Sequence, residues 1–179
     1  MRIDPRMLRN CLGHFATGVT VLTCDIGDGE PHGATVNSFT AVSLEPPLVL
    51  VSLDRDTKAC QYLEGRPFTV NVLREKQDDL ALHFAGKPRE QPIPWEETGD
   101  GLAPRIGGSL ASVACEPWRS YDGGDHVLFL GEVAEFEVRD GDPLVFYLGK
   151  FRHLGPAFES VPWLESGDCP GLSWFSLAS

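Results

Sequence analysis

The segment from Gly33 to Asp54, GATVNSFTAVSLEPPLVLVSLD, places small polar side chains directly before an apolar run. Hydroxyl and amide groups recur between Thr35 and Ser43, and a Pro-Pro pair then leads into the branched side chains of residues 48–53. An apolar run of this length, bounded by turn residues, predicts a buried β-strand. Because polar groups beside a buried strand need partners, the segment indicates either a strand with one face in water or the wall of a binding site.

The composition is typical of one soluble domain. The chain has 179 residues, 42% of them hydrophobic, and 26 acidic against 15 basic residues give a net charge of -11. This length is enough to bury a core, and the acidic balance argues against binding to a phosphate backbone. The sequence has neither a signal-peptide pattern nor an apolar run of roughly 18 residues. We therefore predict a cytoplasmic protein that binds neither nucleic acid nor a membrane.

Cysteine and histidine spacing predicts neither disulfides nor a metal site. The five cysteines are odd in number, widely separated and without a Cys-x-x-Cys pair, so free thiols are expected. The five histidines have no metal-ligand spacing to one another, to cysteines or to carboxylates. A chain without a recognisable catalytic group of its own favours chemistry supplied by a cofactor.

Strand patterns dominate the chain, with short helices between them. Strands are predicted at residues 19–24, 32–39, 48–53, 68–73, 109–120, 126–138 and 144–154, helices at 5–16, 56–63 and 77–85, a hairpin turn at 27–30, and a long loop at 87–108. Many strands with only short helices between them favour a closed or nearly closed antiparallel barrel over a doubly wound sheet.

The polar segment contains the groups that a planar heterocycle would need. Thr35, Asn37 and Ser38, with Ser52 on the next strand, offer hydroxyls, an amide and backbone N–H groups that suit a flavin ring. Lys58, at the start of a predicted helix, would favour a phosphate. On these residues alone, an ordinary half-exposed strand and a solvated lysine are slightly favoured.

Five segments then occur in the order typical of one known family. They are Phe15 to Thr23 (FATGVTVLT), Gly33 to Leu53, Phe68 to Leu73 (FTVNVL), Gly124 to His126 (GDH) and Leu144 to Phe151 (LVFYLGKF). Through them, residues 5 to 154 resemble the short-chain flavin reductases that serve two-component flavin monooxygenases. The resemblance implies a mainly β fold with short helices, the flavin reductase-like or FMN-binding split barrel, in residues 1–154. Residues 155–179 form a tail to which it assigns no role.

The resemblance also implies an activity. Members of this family bind FMN or FAD, usually as homodimers, and reduce it with NADH or NADPH. The reduced flavin then leaves for a partner monooxygenase. Two other functions stay open on the same fold: a flavoprotein with fixed flavin that acts on a small molecule, and a non-catalytic module that binds flavin or haem.

Carried over residue by residue, the resemblance implies a flavin site in three parts. The stretch that lines the flavin ring is Thr35, Val36, Asn37 and Ser38; the ribityl and phosphate contacts are Ser52, Leu53, Asp54, Thr57, Lys58 and Ala59; the segment that closes over the flavin is His83, Phe84 and Ala85. The phosphate turn reads DRDTK where many relatives carry a serine and a further arginine, so the choice between FMN and FAD stays open.

The Gly-Asp-His motif is associated in this family with the nicotinamide nucleotide. The resemblance therefore implies that Asp125 and His126 contact it, with His126 as the residue that orients the nicotinamide and with no general base required. Lys150 and Arg152, on the last predicted strand, are candidate phosphate contacts, with solvated strand-edge cations as the equal alternative.

Overall fold

The computed structural model describes residues 3–27 and 31–156, which form a mainly β fold with short helices, as predicted. The described helices are α1 (Pro5–Leu12), α2 (Lys58–Leu63) and α3 (Asp78–Phe84). The described strands are β1 (Thr17–Gly18), β2 (Thr20–Asp25), β3 (Pro31–Val36), β4 (Thr40–Leu44), β5 (Pro47–Asp54), β6 (Phe68–Val72), β7 (Trp95–Glu96), β8 (Arg105–Ile106), β9 (Ala111–Gly123), β10 (His126–Val138), β11 (Val145–Tyr147) and β12 (Lys150–Arg152).

Seven strands form one antiparallel sheet in the order β3-β2-β6-β9-β10-β5-β4. Strands β1, β11 and β12 form a second sheet, and β7 pairs with β8. The two edge strands of the large sheet, β3 and β4, are joined by residues 37–39 alone. Since so short a connection spans at most about 14 Å, the two edges must lie close together, and the sheet curls into a barrel.

The barrel interior is apolar. Val49, Val51 and Leu53 on β5 are at most 7% exposed and pack with Leu22 on β2 and Phe129 on β10. This alternation along β5 confirms the buried strand predicted at residues 48–53. Helix α2 contacts both β3 and β5 and adds three buried side chains to the same cluster, Ala59, Cys60 and Leu63.

A second apolar cluster lies on the outer face of β2, beneath α3. Val19 and Val21 pack there against Leu80 and Ala81 of α3 and against Ile106 of β8. Helix α3 is thereby held against β2 and β3, next to the polar segment that begins at Thr35.

The segment 93–108, predicted as a loop, is fastened to the barrel. The Thr69 hydroxyl donates to Ala103 O over 2.5 Å, and the Thr23 hydroxyl donates to Pro104 O over 2.6 Å. The guanidinium groups of Arg105 and Arg139 pair with three carboxylates, those of Glu96, Glu135 and Glu137. Its two short strands, β7 and β8, were not predicted because proline and glycine obscure so brief a pattern.

Other differences from the predicted elements are local. Helix α1 ends at Leu12 rather than residue 16, where Gly13 caps it, and the following residues pair as β1 with β11. Strand β3 ends at Val36 rather than residue 39, and β4 was not predicted because residues 40–44 lack a clear alternation. The strand predicted at 144–154 is two strands, β11 and β12, separated by a turn in which Leu148 and Gly149 both have positive φ.

The four described cysteines are free thiols, as predicted. Cys11 is exposed, whereas Cys24, Cys60 and Cys115 are buried in or beside the barrel interior. Burial raises the pKa of Cys24 to about 11 and that of Cys115 to about 12.

Among residues 3–27 and 31–156, no helix is both long enough and apolar enough to cross a lipid bilayer. The same residues contain no group of three or more histidine, cysteine or carboxylate side chains suited to a metal ion. Residues 28–30 of the predicted hairpin turn, and residues 157–179 of the predicted tail, lie outside the described ranges.

Candidate active site

Two adjoining clefts meet at the residues that follow β3. The first has a volume of about 430 Å³ and is lined by Val19, Thr35, Val36, Asn37, Leu82, Ala85, Lys87, Phe146, Gly149 and Phe151. The second has a volume of about 860 Å³ and is lined by Arg9, Leu12, Gly13, Phe15, Ala16, Thr17, Gly18, Asn37, Ser38, Phe39, Thr40 and Phe146. Asn37 and Phe146 border both. The predicted ring-lining stretch therefore lies at the junction of two clefts.

Helix α3 forms one wall of the first cleft because it lies close against β3. A Cβ atom at Gly33 would stand 2.5 Å from the Phe84 ring, so only glycine permits this approach. The Thr35 hydroxyl donates to Ala81 O over 2.7 Å and ties the same two elements together. Ala85, at the end of α3, lines the cleft directly.

A short loop after α3 presents Lys87 to the first cleft. His83 Nδ1 accepts the backbone N–H of Arg89 over 3.1 Å, and the Arg89 guanidinium pairs with Asp79 at 3.1 Å. These two contacts fasten residues 86–89 to the helix. His83, predicted to close over a flavin, thus holds the loop that carries the cleft's lysine.

The backbone of residues 37–39 is released from the sheet by a serine side chain. Continuing the β4–β5 register by two residues would set Ser38 opposite Ser52. Instead, the Ser38 hydroxyl donates to Ser52 O over 2.7 Å and accepts from Ser52 N over 3.1 Å. Within the described part of the chain, the N–H groups of Asn37, Ser38 and Phe39 have no hydrogen-bond partner. These three unpaired N–H groups belong to residues that line the second cleft, and Asn37 lines the first cleft as well.

The predicted phosphate contacts lie on the turn from β5 into α2. Asp54 Oδ1 accepts the N–H of Asp56 over 2.9 Å, and the Thr57 hydroxyl caps α2 by accepting the Cys60 N–H. Lys58 begins the helix and is exposed, outside both clefts. Leu53 and Ala59 are buried in the barrel interior, so only their backbone atoms can reach a ligand.

The Gly-Asp-His motif forms the turn between β9 and β10. His126 lies opposite Asp54 of β5 in the strand register, so the two predicted parts of the site are neighbours. His126 Nδ1 donates to Asp125 Oδ1 over 2.7 Å, and this hydrogen bond lowers the pKa of the Asp125 carboxyl. In the neutral imidazole, a carboxylate acceptor places the proton on Nδ1 and leaves Nε2 as an acceptor.

Lys150 and Arg152 are exposed on β12. Phe151 between them lines the first cleft. Since successive side chains of a strand point to opposite faces, the two cations point away from the cleft wall. Their role as phosphate contacts stays a prediction.

Residues 12–155 match the family described as flavin reductase like domain. An NADH-dependent FAD reductase of Streptomyces globisporus is 41% identical over 167 residues, which cover 86% of this chain and 90% of that protein. The chain belongs to the flavin reductase like family. The family resemblance predicted from the five segments is therefore confirmed.

Other members are equally similar to this flavin reductase chain. The reductase subunit HsaB of a flavin-dependent monooxygenase from Rhodococcus jostii is 40% identical, covering 91% of this chain and 85% of that protein. The FMN reductase (NADH) SmoA of Agrobacterium fabrum is 43% identical, with coverages of 83% and 85%. The solved flavin reductase PheA2 superposes with a TM-score of 0.80 at 40% identity and covers 86% of this chain and all of that one. The predicted fold class is thus confirmed.

The residues of this flavin reductase fit the cofactor of the family. The first cleft has the size of a small-molecule site, and its lining is mainly apolar, as a ring system requires. The free N–H groups of residues 37–39 supply donors for the oxygen and nitrogen acceptors of an isoalloxazine. The flavin-lining role of residues 35–38 stays a prediction.

Several residues that line the clefts were not predicted from the sequence. They are Lys87, Leu82, Gly149, Phe146 and Phe151 in the first cleft, and Arg9 and Phe15 in the second. Lys87 had a local signal, because it follows the predicted His83 to Ala85 segment by two residues. Leu82 directly precedes that segment on α3, and the remaining residues, apart from Arg9 on α1, lie in the segments Phe15 to Thr23 and Leu144 to Phe151, which the resemblance marks without assigning them to the site.

Proposed function

We propose that this flavin reductase transfers hydride from NADH to FAD or FMN and releases the reduced flavin to a monooxygenase. The observation that carries the proposal is the pair of adjoining clefts, with residues 37–39, whose backbone N–H groups are unpaired within the described residues, along their border. The first cleft has the size of one ring system and the second opens beside it, whereas Lys58 and His126 line neither cleft. The choice of NADH is supported by the names of the Streptomyces and Agrobacterium relatives, and the monooxygenase partner by that of the Rhodococcus subunit.

The protein's part in this reaction is to bind and to orient. When bound, the flavin would supply the acceptor for a hydride, which would carry its electron pair from the nicotinamide to the flavin ring. The N–H groups of residues 37–39 hold the negative charge that develops on the ring system. His126 Nε2, an acceptor because Nδ1–H is bonded to Asp125, receives an N–H of the nicotinamide carboxamide. No side chain has to move a proton, so the rate rests on close and correct stacking.

The β5–α2 turn would hold the phosphate end of the flavin. Helix α2 has only six residues, so its dipole is small. The charge of Lys58 is therefore the main electrostatic attraction for the flavin phosphate. Ser52 and Asp54, which point to one face of β5, would contact the ribityl chain. Asp54 is also the residue opposite His126 in the strand register.

Replacing Lys58 with alanine is expected to raise the flavin dissociation constant about tenfold, or ~1.4 kcal/mol. The side chain is exposed, so its loss removes charge without a cavity. Quenching of flavin fluorescence measures the constant. Lys76→Ala, which removes an exposed lysine between β6 and α3, is the matched control and is expected to leave the flavin dissociation constant unchanged. An unchanged constant in Lys58→Ala would remove Lys58 from the site.

The activity itself is tested by the loss of NADH absorbance with no flavin, with FMN and with FAD, each repeated with NADPH. Strong dependence on added flavin, with NADH preferred, is expected. Under anaerobic conditions, rapid gel filtration then separates reduced flavin from protein. Oxidation in none of the mixtures contradicts a reductase. Reduced flavin that stays with the protein contradicts release and favours a flavoprotein with a fixed cofactor.

The proposed assembly is a homodimer. Large apolar side chains are exposed on α1 and just beyond it, with Met7 72%, Leu12 65% and Phe15 78% exposed, and others on the outer face of the barrel, such as Leu44 and Tyr121. Apolar surface of this extent is typical of an interface. Sedimentation equilibrium at micromolar concentration is expected to give twice the chain mass, and the mass of a single chain would contradict the dimer.

A further inference from the structure

Arg55 lies in the middle of the predicted phosphate turn, yet its contacts lead elsewhere. Its backbone N–H donates to Asp125 O over 3.1 Å, and its side-chain Nε donates to Gly124 O over 2.7 Å. Its Nη2 pairs with the Asp122 carboxylate. One residue is thus bonded to three of the four residues from 122 to 125.

The turn that Arg55 holds is the one that carries His126. Strands β9 and β10 are joined by two residues, with Gly123 opposite His126 in the register. Gly124 has a φ of +83°, whereas the φ of Asp125 is not positive, which is the pattern of a tight type II′ hairpin. The Gly124 N–H donates to Asp122 Oδ1 over 3.1 Å, so the carboxylate that pairs with Arg55 also braces the turn from within.

We infer that Arg55 is a positioning residue for the nicotinamide nucleotide rather than a ligand of the flavin phosphate. Its side chain fixes the Gly124–Asp125 peptide by donating to Gly124 O, and Asp125 in turn fixes the imidazole of His126 through the 2.7 Å hydrogen bond. The inference rests on the proposed role of His126. It assigns adjacent cations of one turn to different substrates: Lys58 to the flavin, and Arg55 to the hydride donor.

Arg55 fixes the geometry of the turn at residues 122–125 and adds little to the stability of the protein. Its side chain is 41% exposed and that of Asp122 is 82% exposed, and ion pairs so open to water add little to stability. A guanidinium can donate along two fixed directions at once, here to a carbonyl and to a carboxylate, whereas an ammonium cannot reproduce that fork. A lysine at this position would keep the charge and lose the geometry.

The test compares four variants by steady-state kinetics and by flavin binding. Arg55→Ala and Arg55→Lys are both expected to raise the KM for NADH about tenfold, because small displacements of a positioning group have effects of this size or larger. Asp122→Ala, which removes the carboxylate that pairs with Arg55, is also expected to raise the KM for NADH. The flavin dissociation constant and the melting temperature stay unchanged in all three. Arg119→Ala is the matched control, since this exposed arginine of β9 stacks on Trp118 and does not contact the turn.

His126→Ala, measured alongside, separates the possible failures. A raised KM for NADH in His126→Ala and in both Arg55 variants supports the inference. A raised KM in His126→Ala alone overturns the role of Arg55 and leaves that of His126 intact. An unchanged KM in His126→Ala overturns both roles, although the reductase activity itself still stands. A weakened flavin affinity in Arg55→Ala that Arg55→Lys restores identifies Arg55 as a phosphate ligand and overturns the inference.

Discussion

Replacing Asn71 with alanine is expected to lower the free energy of unfolding by about 3 kcal/mol. Asn71 is fully buried. Its side-chain amide donates to Val21 O over 2.9 Å and to the Thr23 hydroxyl over 3.2 Å, while its carbonyl accepts the Ile106 N–H over 2.8 Å. One side chain thus joins β2, β6 and β8. Its removal leaves a buried N–H without a partner and a cavity beside it.

Denaturant unfolding followed by circular dichroism measures this loss, and the melting temperature is expected to fall by about 6–12 °C for a domain of this size. Asn10→Ala is the matched control, because Asn10 is exposed on α1 and alanine favours a helix. A loss below about 1 kcal/mol in Asn71→Ala would show that water enters and satisfies the orphaned groups.

Substituting valine for Gly33 is expected to weaken flavin binding by more than tenfold, a loss above about 1.4 kcal/mol. The new Cβ atom would lie 2.5 Å from two carbons of the Phe84 ring, so the ring and with it α3 must move away from β3. Movement of α3 carries Ala85 and Lys87 out of the cleft wall. Fluorescence quenching measures the affinity, and unfolding is expected to become easier by about 1–3 kcal/mol.

A second substitution tests whether the clash is the cause. Phe84→Leu alone is expected to destabilise the protein. In the double variant with Gly33→Ala, the smaller leucine side chain makes room for the added methyl group. The loss of unfolding free energy in the double variant is therefore expected to be smaller than the sum of the losses in the two single variants, as is usual for residues in contact. Strict additivity, or an unchanged flavin affinity in Gly33→Val, would show that the approach of α3 to β3 does not shape the site.

The sequence predicts the fold where the pattern is local. Residues 48–53 are apolar and branched, and they form the buried β5. The long strands β9 and β10 and the short helices α2 and α3 also lie close to where periodicity predicts them. Strand β4 escapes prediction because a bulge between Ala41 and Ser43 breaks its alternation.

The candidate site is predictable only in part, and for a related reason. The polar side chains from Thr35 to Ser38 suggest donors, but the free N–H groups exist because Ser38 bonds Ser52, 14 residues away. The role of Arg55 is harder still to predict, since its side-chain partners are 67 and 69 residues away in the sequence. From sequence alone, Arg55 is one residue of the predicted phosphate turn to which no role is assigned. Only the folded pairing of β5 with β10 shows where it points.

The placement of the cysteines bears on how long such an enzyme stays active. Reduced flavin that is free in water reacts with dioxygen and yields hydrogen peroxide, so this protein works in a solution that oxidises thiols. Peroxide attacks the thiolate rather than the thiol. Cys24 and Cys115, with pKa values of about 11 and about 12, carry almost no thiolate at neutral pH. Among the described cysteines only Cys11 faces the solvent, and damage there spares the barrel interior.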